Sequence, residues 1–179
     1  MRHFPSLSSL FGGAPSSDAR TQIANADDLR EQLRQVHSAG SSDCCILMLD
    51  IDSFHLVNRD YGQREGDRVL NAVTQLLLLN LRSTDLLCRY AGDRFAVLMR
   101  GTQPDTAQVL AQHLRRAVAS LRHHAEHCGQ PISPTVRVVF RSVDSEPRQL
   151  LKEMNRALER RMPAKPAFND DAGGAVVHV

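Results

Sequence analysis

Two short apolar segments, residues 86–90 (Leu-Leu-Cys-Arg-Tyr) and 95–99 (Phe-Ala-Val-Leu-Met), are separated by only Ala91-Gly92-Asp93-Arg94. So short a link predicts an antiparallel hairpin, and Gly92 supplies the positive φ that the turn needs. Asp93 and Arg94 therefore belong at a loop tip. A second constraint is the uninterrupted apolar run 44–49, which ends in Asp50-Ile51-Asp52. Its length and composition predict a strand buried on both faces that delivers carboxylates at its end.

The remaining elements follow from spacing. Asn25 is placed to cap a helix whose first turn carries Asp27 and Asp28 and whose apolar face holds Leu29, Leu33 and Val36, with Gly40 ending it. After a polar turn, Val69, Leu70, Val73, Leu76, Leu77 and Leu81 form the stripe of a helix ending near Ser83. Pro104 and Asp105 open a third helix through Leu110, Leu114 and Leu121, and Pro147 opens a fourth through Leu150, Leu151, Met154 and Leu158. Residues 135–140 predict a strand, 123–134 a helix end and loop, and 175–179 a closing edge strand. This order implies an α+β layer of helices on a largely antiparallel sheet.

With 179 residues the chain is long enough for one domain with a sizeable core, read as a flexible Ser-, Gly- and Pro-rich arm over 1–20 and a folded unit over 21–179. Four cysteines, two of them adjacent at Cys44 and Cys45, make no disulfide framework and suit a reducing cytoplasm. The longest apolar runs fall far short of the ~20 residues of a membrane helix. A net charge of +2 argues against a nucleic-acid partner, and neither charge nor apolar length suggests a membrane one. His123, His124, His127 and Cys128 invite a zinc reading, but a polar helix end explains them better, since no second Cys or His pair stands at suitable spacing.

Carboxylates at a strand end and a hairpin tip are hard oxygen ligands of the kind that hold Mg²⁺ during phosphoryl transfer. With Asp50-Ile51-Asp52, the run from Asn58 to Asp67, and Arg82-Ser-Thr-Asp85 ahead of the Gly-Asp turn, the chain resembles the GGDEF family of diguanylate cyclase domains. The resemblance implies a five-stranded sheet around a ferredoxin-like βαββαβ core flanked by helices. It also implies that Asp50, Asp93 and the Ile51 carbonyl are potential metal ligands, and that Asn58 and Asp67 read guanine. Arg82 and Asp85 match the Arg-x-x-Asp site at which the family binds cyclic di-GMP. A bidentate guanidinium suits guanine O6 and N7 or phosphate, while a carboxylate accepts from guanine N–H groups. The plain alternative is an i,i+3 ion pair at a helix end. Arg115 is read as a solvated residue or an outlying contact of that ligand.

The departures lie on the catalytic side. Arg94 stands where the family has an acid proposed to help deprotonate the attacking 3′-hydroxyl, and a guanidinium cannot serve as a general base. A positive charge about 5 Å from a divalent ion costs on the order of 7 kcal/mol at an effective dielectric near 20. His55 replaces the family's lysine, Arg137-Val138-Val139 its Ser-x-Gly, Asn25-Ala26-Asp27 its Asn-Arg-Arg, and residues 161–166 its cationic C-terminal run. The expectation is a domain impaired in catalysis, needing no cofactor, that senses cyclic di-GMP and signals to a partner protein. Two other readings stay open: an active cyclase joining two GTP molecules with Mg²⁺, and a nucleotide-free interaction module.

Overall fold

The computed structural model describes residues 23–40, 43–125 and 129–160. Its elements are β1 (Ala24–Asn25), α1 (Ala26–Ser38), β2 (Cys44–Ile51), α2 (Phe54–Tyr61), α3 (Gln63–Asn80), β3 (Leu86–Ala91), β4 (Arg94–Arg100), α4 (Pro104–Ser120), β5 (His123–His124), β6 (Pro131–Ile132), β7 (Val136–Ser142) and α5 (Pro147–Arg160). Five strands form one mixed sheet in the order β1-β3-β4-β2-β7, with β1 parallel to β3 and the other pairs antiparallel. Strands β2, β3, β4 and β7 with their intervening helices make the expected βαββαβ core.

Strand β2 sits between β4 and β7, and every one of its residues is buried. Its alternation serves two cores. Cys45, Leu47, Leu49 and Ile51 pack with Phe95, Val97 and Met99 in the core that includes α2, α3 and α4. Cys44, Ile46 and Met48 pack with Ala96, Leu98 and residues of α1 and α5 on the other face. Burial pushes the thiols of Cys44 and Cys88 up, to about 11 and about 12. They behave as small core hydrophobes. Among the described residues no helix is long and apolar enough to cross a membrane.

Helix α1 begins as its sequence predicts. Asn25 Oδ1 accepts from the Asp27 and Asp28 amides at 2.8 and 3.0 Å, and Asp28 Oδ2 accepts from the Asn25 amide at 3.0 Å. This is a capping box closed by Asp rather than Glu. Three expectations need correction. The polar turn after β2 contains α2, which buries Phe54 and Val57, and α3 starts at Gln63 and ends at Asn80 rather than near Ser83. Ser53 in the left-handed region at φ 53° and Gly62 at φ 86° bracket α2, so its single turn of apolar spacing is isolated from the longer stripe. Within 123–134, β5 and β6 pair as a small antiparallel ribbon. The edge strand expected over 175–179 lies outside the described residues, and β1 is the strand at the β3 edge of the sheet.

The ribbon is tied to the helices that precede it. His123 Nε2 bonds the buried Glu65, which Arg68 Nη1 also reaches at 3.2 Å, and the Tyr61 hydroxyl donates to Gln130 Oε1 at 3.2 Å. Between α2 and α3 the approach is close enough to require glycine: a Cβ on Gly66 would overlap Asn58 Oδ1 and stand 3.1 Å from Phe54 Cζ. Gly66→Ala should destabilise the domain by about 1–3 kcal/mol, the usual range for overpacking. Urea unfolding would measure it, and Asn58→Ala in the same chain should recover most of the loss.

Candidate functional site

The turn between β3 and β4 places Gly92 at φ 42°, and Arg89 Nε donates to the Gly92 carbonyl at 2.9 Å. The Asp93 carbonyl accepts from the Ile51 amide at 3.2 Å, which brings the hairpin tip against the end of β2. Asp50, Ile51 and Asp93, the potential metal ligands that the resemblance implies, are thus neighbours. The Asp93 carboxyl is held above its ordinary range, first by burial and then by the charge of Asp50, with Arg94 and Arg137 pulling the other way.

Asp50 lies opposite Arg94 on β4 and opposite Arg137 on β7 in the same register. Residues directly opposite one another project to the same face. Arg94 Nε approaches Asp50 Oδ1 at 3.3 Å, and Arg137 Nη2 bonds Asp50 Oδ2. The result is an Arg–Asp–Arg rung across three strands, with the carboxylate side chain 5% exposed and the guanidinium groups about a quarter exposed, at 27% and 23%. Arg137 Nε also lies 2.9 Å from Asp52 Oδ1, an ion pair out of line for a hydrogen bond, while Asp52 Oδ2 accepts from the Thr135 hydroxyl at 2.7 Å.

Helix α5 fixes both arginines. Arg94 Nη1 donates to Asn155 Oδ1 at 2.9 Å and Arg137 Nη1 to the Leu158 carbonyl at 3.1 Å. Asn155 Nδ2 in turn donates to the Leu151 carbonyl at 2.8 Å and the Tyr90 hydroxyl at 3.2 Å. Sequence reasoning treats Arg137 only as a lost Ser-x-Gly position and passes over Asn155. The legible signal was a charged residue inside an apolar strand segment, which requires a buried partner.

Asn58 on α2 is half-buried with Oδ1 lacking a hydrogen-bond partner, and it touches α3 at Gly66, beside the half-buried Asp67. The structure therefore brings the two guanine-reading candidates to one helix junction. Arg82 and Asp85 stand in the link between α3 and β3, but they are not the side-chain ion pair of the plain alternative. Asp85 Oδ2 accepts instead from the Arg82 amide at 2.9 Å, while Asp85 Oδ1 is buried with no partner. Arg82 is exposed. Both line a cleft of about 240 Å³ with Asn80, Val109, Leu110 and His113, where His113 Nε2 and Asn80 Oδ1 are 2.7 Å apart. Arg115 lines a separate cleft against Val138 and Phe140. Among the described residues no group of three or more His, Cys, Asp or Glu is arranged to hold a metal ion; His127 and Cys128 lie outside them.

A central strand ending in carboxylates against a Gly-Asp hairpin, on a five-stranded mixed sheet flanked by helices, is an α+β arrangement of the GGDEF kind. The sequence pattern of the diguanylate cyclase GGDEF domain matches residues 16–166, and the chain belongs to that family. It is 34% identical over 123 residues to the diguanylate cyclase DgcP of Pseudomonas aeruginosa, covering 66% of this chain and 18% of that protein. It is 41% identical over 100 residues to the uncharacterized protein y4lL of Sinorhizobium fredii, covering 54% and 12%. The chain thus spans less than a fifth of the length of these two relatives. The GGDEF domain of DgcB from Caulobacter crescentus, solved in complex with c-di-GMP, shares the fold with a TM-score of 0.74 at 21% identity over 80% of this chain and 85% of that one. Diguanylate cyclase SiaD of P. aeruginosa, solved with its activator SiaC, superposes with a TM-score of 0.71 at 28% identity over 80% and 56%.

Two outcomes follow from this electrostatic arrangement. Asp50→Ala leaves two partly buried guanidinium groups without their shared carboxylate and should destabilise the fold by about 3 kcal/mol, the low end for a broken buried pair because the arginines keep some solvent. Chemical denaturation would measure it. Since the folded state raises the Asp93 carboxyl, that group's contribution to stability is full below the ordinary Asp value near ~4 and is lost as pH rises through the folded-state value. Asp93→Asn should therefore raise the melting temperature at pH 7, and the gain should vanish as the pH falls below ~4.

Proposed function

We propose that this GGDEF domain does not turn over GTP and instead binds cyclic di-GMP at Arg82 and Asp85, passing occupancy to a partner signalling protein. The observation that carries the first half is the double engagement of Asp50, whose two oxygens face Arg94 and Arg137. A family-type Mg²⁺ site would have to take Asp50 from both guanidinium groups and then tolerate their charge beside the ion. These residues do not fit such a site. Nor can Arg94 accept the proton of an attacking hydroxyl, and Asn155 holds it toward α5.

Support for the second half is a buried carboxylate oxygen on Asp85 that lacks a partner, in a cleft shared with the exposed Arg82. A buried unsatisfied acceptor is costly, and guanine N1–H and N2–H are donors that would satisfy it. Arg82 would then contact guanine O6 and N7 or a phosphate oxygen. At about 240 Å³ the cleft is of a size for one base rather than a whole dinucleotide. GTP remains a ligand in this reading, its base held by Asn58 and Asp67 without catalysis. The competing cyclase reading keeps Asp50, Asp93, Asn58 and Asp67 in their family roles, and product formation separates the two.

Isothermal titration should show cyclic di-GMP binding to the wild-type domain that weakens at least tenfold in Arg82→Ala. No heat with wild type would end the sensor reading. Incubation with GTP and Mg²⁺ should yield no cyclic di-GMP, whereas product that disappears on Asp93→Ala would restore the enzyme. Replacing the rung by Arg94→Glu with Arg137→Ser should create Mn²⁺ binding, detected by water proton relaxation, that the wild type lacks.

A further inference from the structure

Helices α1 and α5 flank a cleft of about 590 Å³ on the face of the sheet opposite α2 and α3. Two cationic side chains line it from each helix, Arg30 and Arg34 from α1 and Arg148 and Lys152 from α5. Each pair is spaced i,i+4, so both charges of a pair project from one face of their helix. Among the described residues, Arg148 and Lys152 enter no ion pair. Arg30 and Arg34 bond Asp27 and Glu31 one turn earlier, but these are exposed i,i+3 pairs of small net worth, and redirecting them toward a ligand forfeits little. The carboxylate that lines the cleft, Glu146, is turned to its own helix, accepting from the Gln149 amide at 3.0 Å.

The rest of the lining is of a different kind. Tyr90 contributes an aromatic ring, Pro147 and Leu151 apolar surface, and Asn155 a side-chain amide. Several phosphate-binding cations around a cavity of this volume, with aromatic and apolar groups between them, match a ligand that combines a polyphosphate with a base. We infer that the α1–α5 cleft is a third nucleotide site, separate from Asn58 and Asp67 and from Arg82 and Asp85, taking a nucleoside polyphosphate. Its phosphates lie on Arg30, Arg34, Arg148 and Lys152, and its base packs against Tyr90 and Leu151. Asn155 joins this cleft to the rung, because the residue that lines one holds Arg94 in the other.

The test uses the full chain carrying Arg82→Ala and Asn58→Ala, so that failure of either proposed guanine site does not bear on the outcome. Titration calorimetry with ATP should show binding, with inorganic triphosphate at least tenfold weaker. Arg148→Gln with Lys152→Gln, both on exposed positions, should weaken ATP by tenfold or more, and Tyr90→Leu should remove most of ATP's advantage over triphosphate. Affinity should fall steeply with added salt. Three results would overturn the inference: no heat with millimolar ATP, an affinity unchanged within twofold in the α5 double variant, or equal binding of ATP and triphosphate. Circular dichroism on each variant separates lost binding from lost fold.

Discussion

The carboxylate of Asp50 is the point on which the site turns. It ends the most buried strand of the sheet, and a charge there must be paired or hydrogen-bonded if it is to persist. The sheet supplies two cationic partners because β4 and β7 flank β2, and Arg94 and Arg137 fall opposite Asp50 in both registers. Each arginine takes one of the Asp50 oxygens, Arg94 facing Oδ1 and Arg137 Oδ2. Together they leave two guanidinium groups against the carboxylates of Asp50, Asp52 and Asp93, so most of the negative charge that would attract a divalent ion is met by the protein itself. Asp93, next in line, is held above its ordinary range by burial and then by Asp50, while Arg94 and Arg137 pull the other way.

Much of this was legible in the sequence, and the reasons are physical. The hairpin followed from Gly92 and its short link, β2 from an unbroken apolar run, α1 from Asn25 and its acidic first turn, and α4 and α5 from their prolines and stripes. Those signals are local. The rung was not legible, because Asp50 lies 44 residues from Arg94 and 87 from Arg137, and only strand order and register bring them to one line. Helix α2 escaped for the opposite reason: eight residues give too little periodicity to stand out from a turn, and Ser53 and Gly62 cut it from its neighbours. Asn58 and Asp67 could be named from the resemblance to the family, but that a Cβ on Gly66 would meet Asn58 Oδ1 is a statement about packing between helices.

Arg94 and Arg137 meet at one place in the sheet, on either side of Asp50. At the helix junction Asn58 Oδ1, packed against Gly66, is buried without a hydrogen-bond partner, and so is Asp85 Oδ1. Both are features with a stability penalty that ligand contacts would offset. At the rung both Asp50 oxygens are met from within by Arg94 and Arg137, while Asp52 Oδ1 and Arg137 Nε stay without a hydrogen-bond partner.

Position within the sheet explains how the proposed sites can communicate. Asp85 immediately precedes β3, and Arg94 begins β4, so the two ends of one hairpin carry the ligand cleft and the rung. Tyr90, near the far end of β3, bonds Asn155, which bonds Arg94 and lines the α1–α5 cleft. A displacement of β3 on binding at its start has a path to α5 through the Tyr90–Asn155 hydrogen bond and on to Arg94 through a second. Transmission needs an element with two arrangements, and Asn155 is suited to that role, because its amide donates to Tyr90 and to the Leu151 carbonyl while its oxygen accepts from Arg94. A ligand in the α1–α5 cleft would touch Asn155, the residue whose side-chain oxygen holds Arg94. The arginine that ends catalysis in this reading is thereby also the one placed to report which cleft is filled.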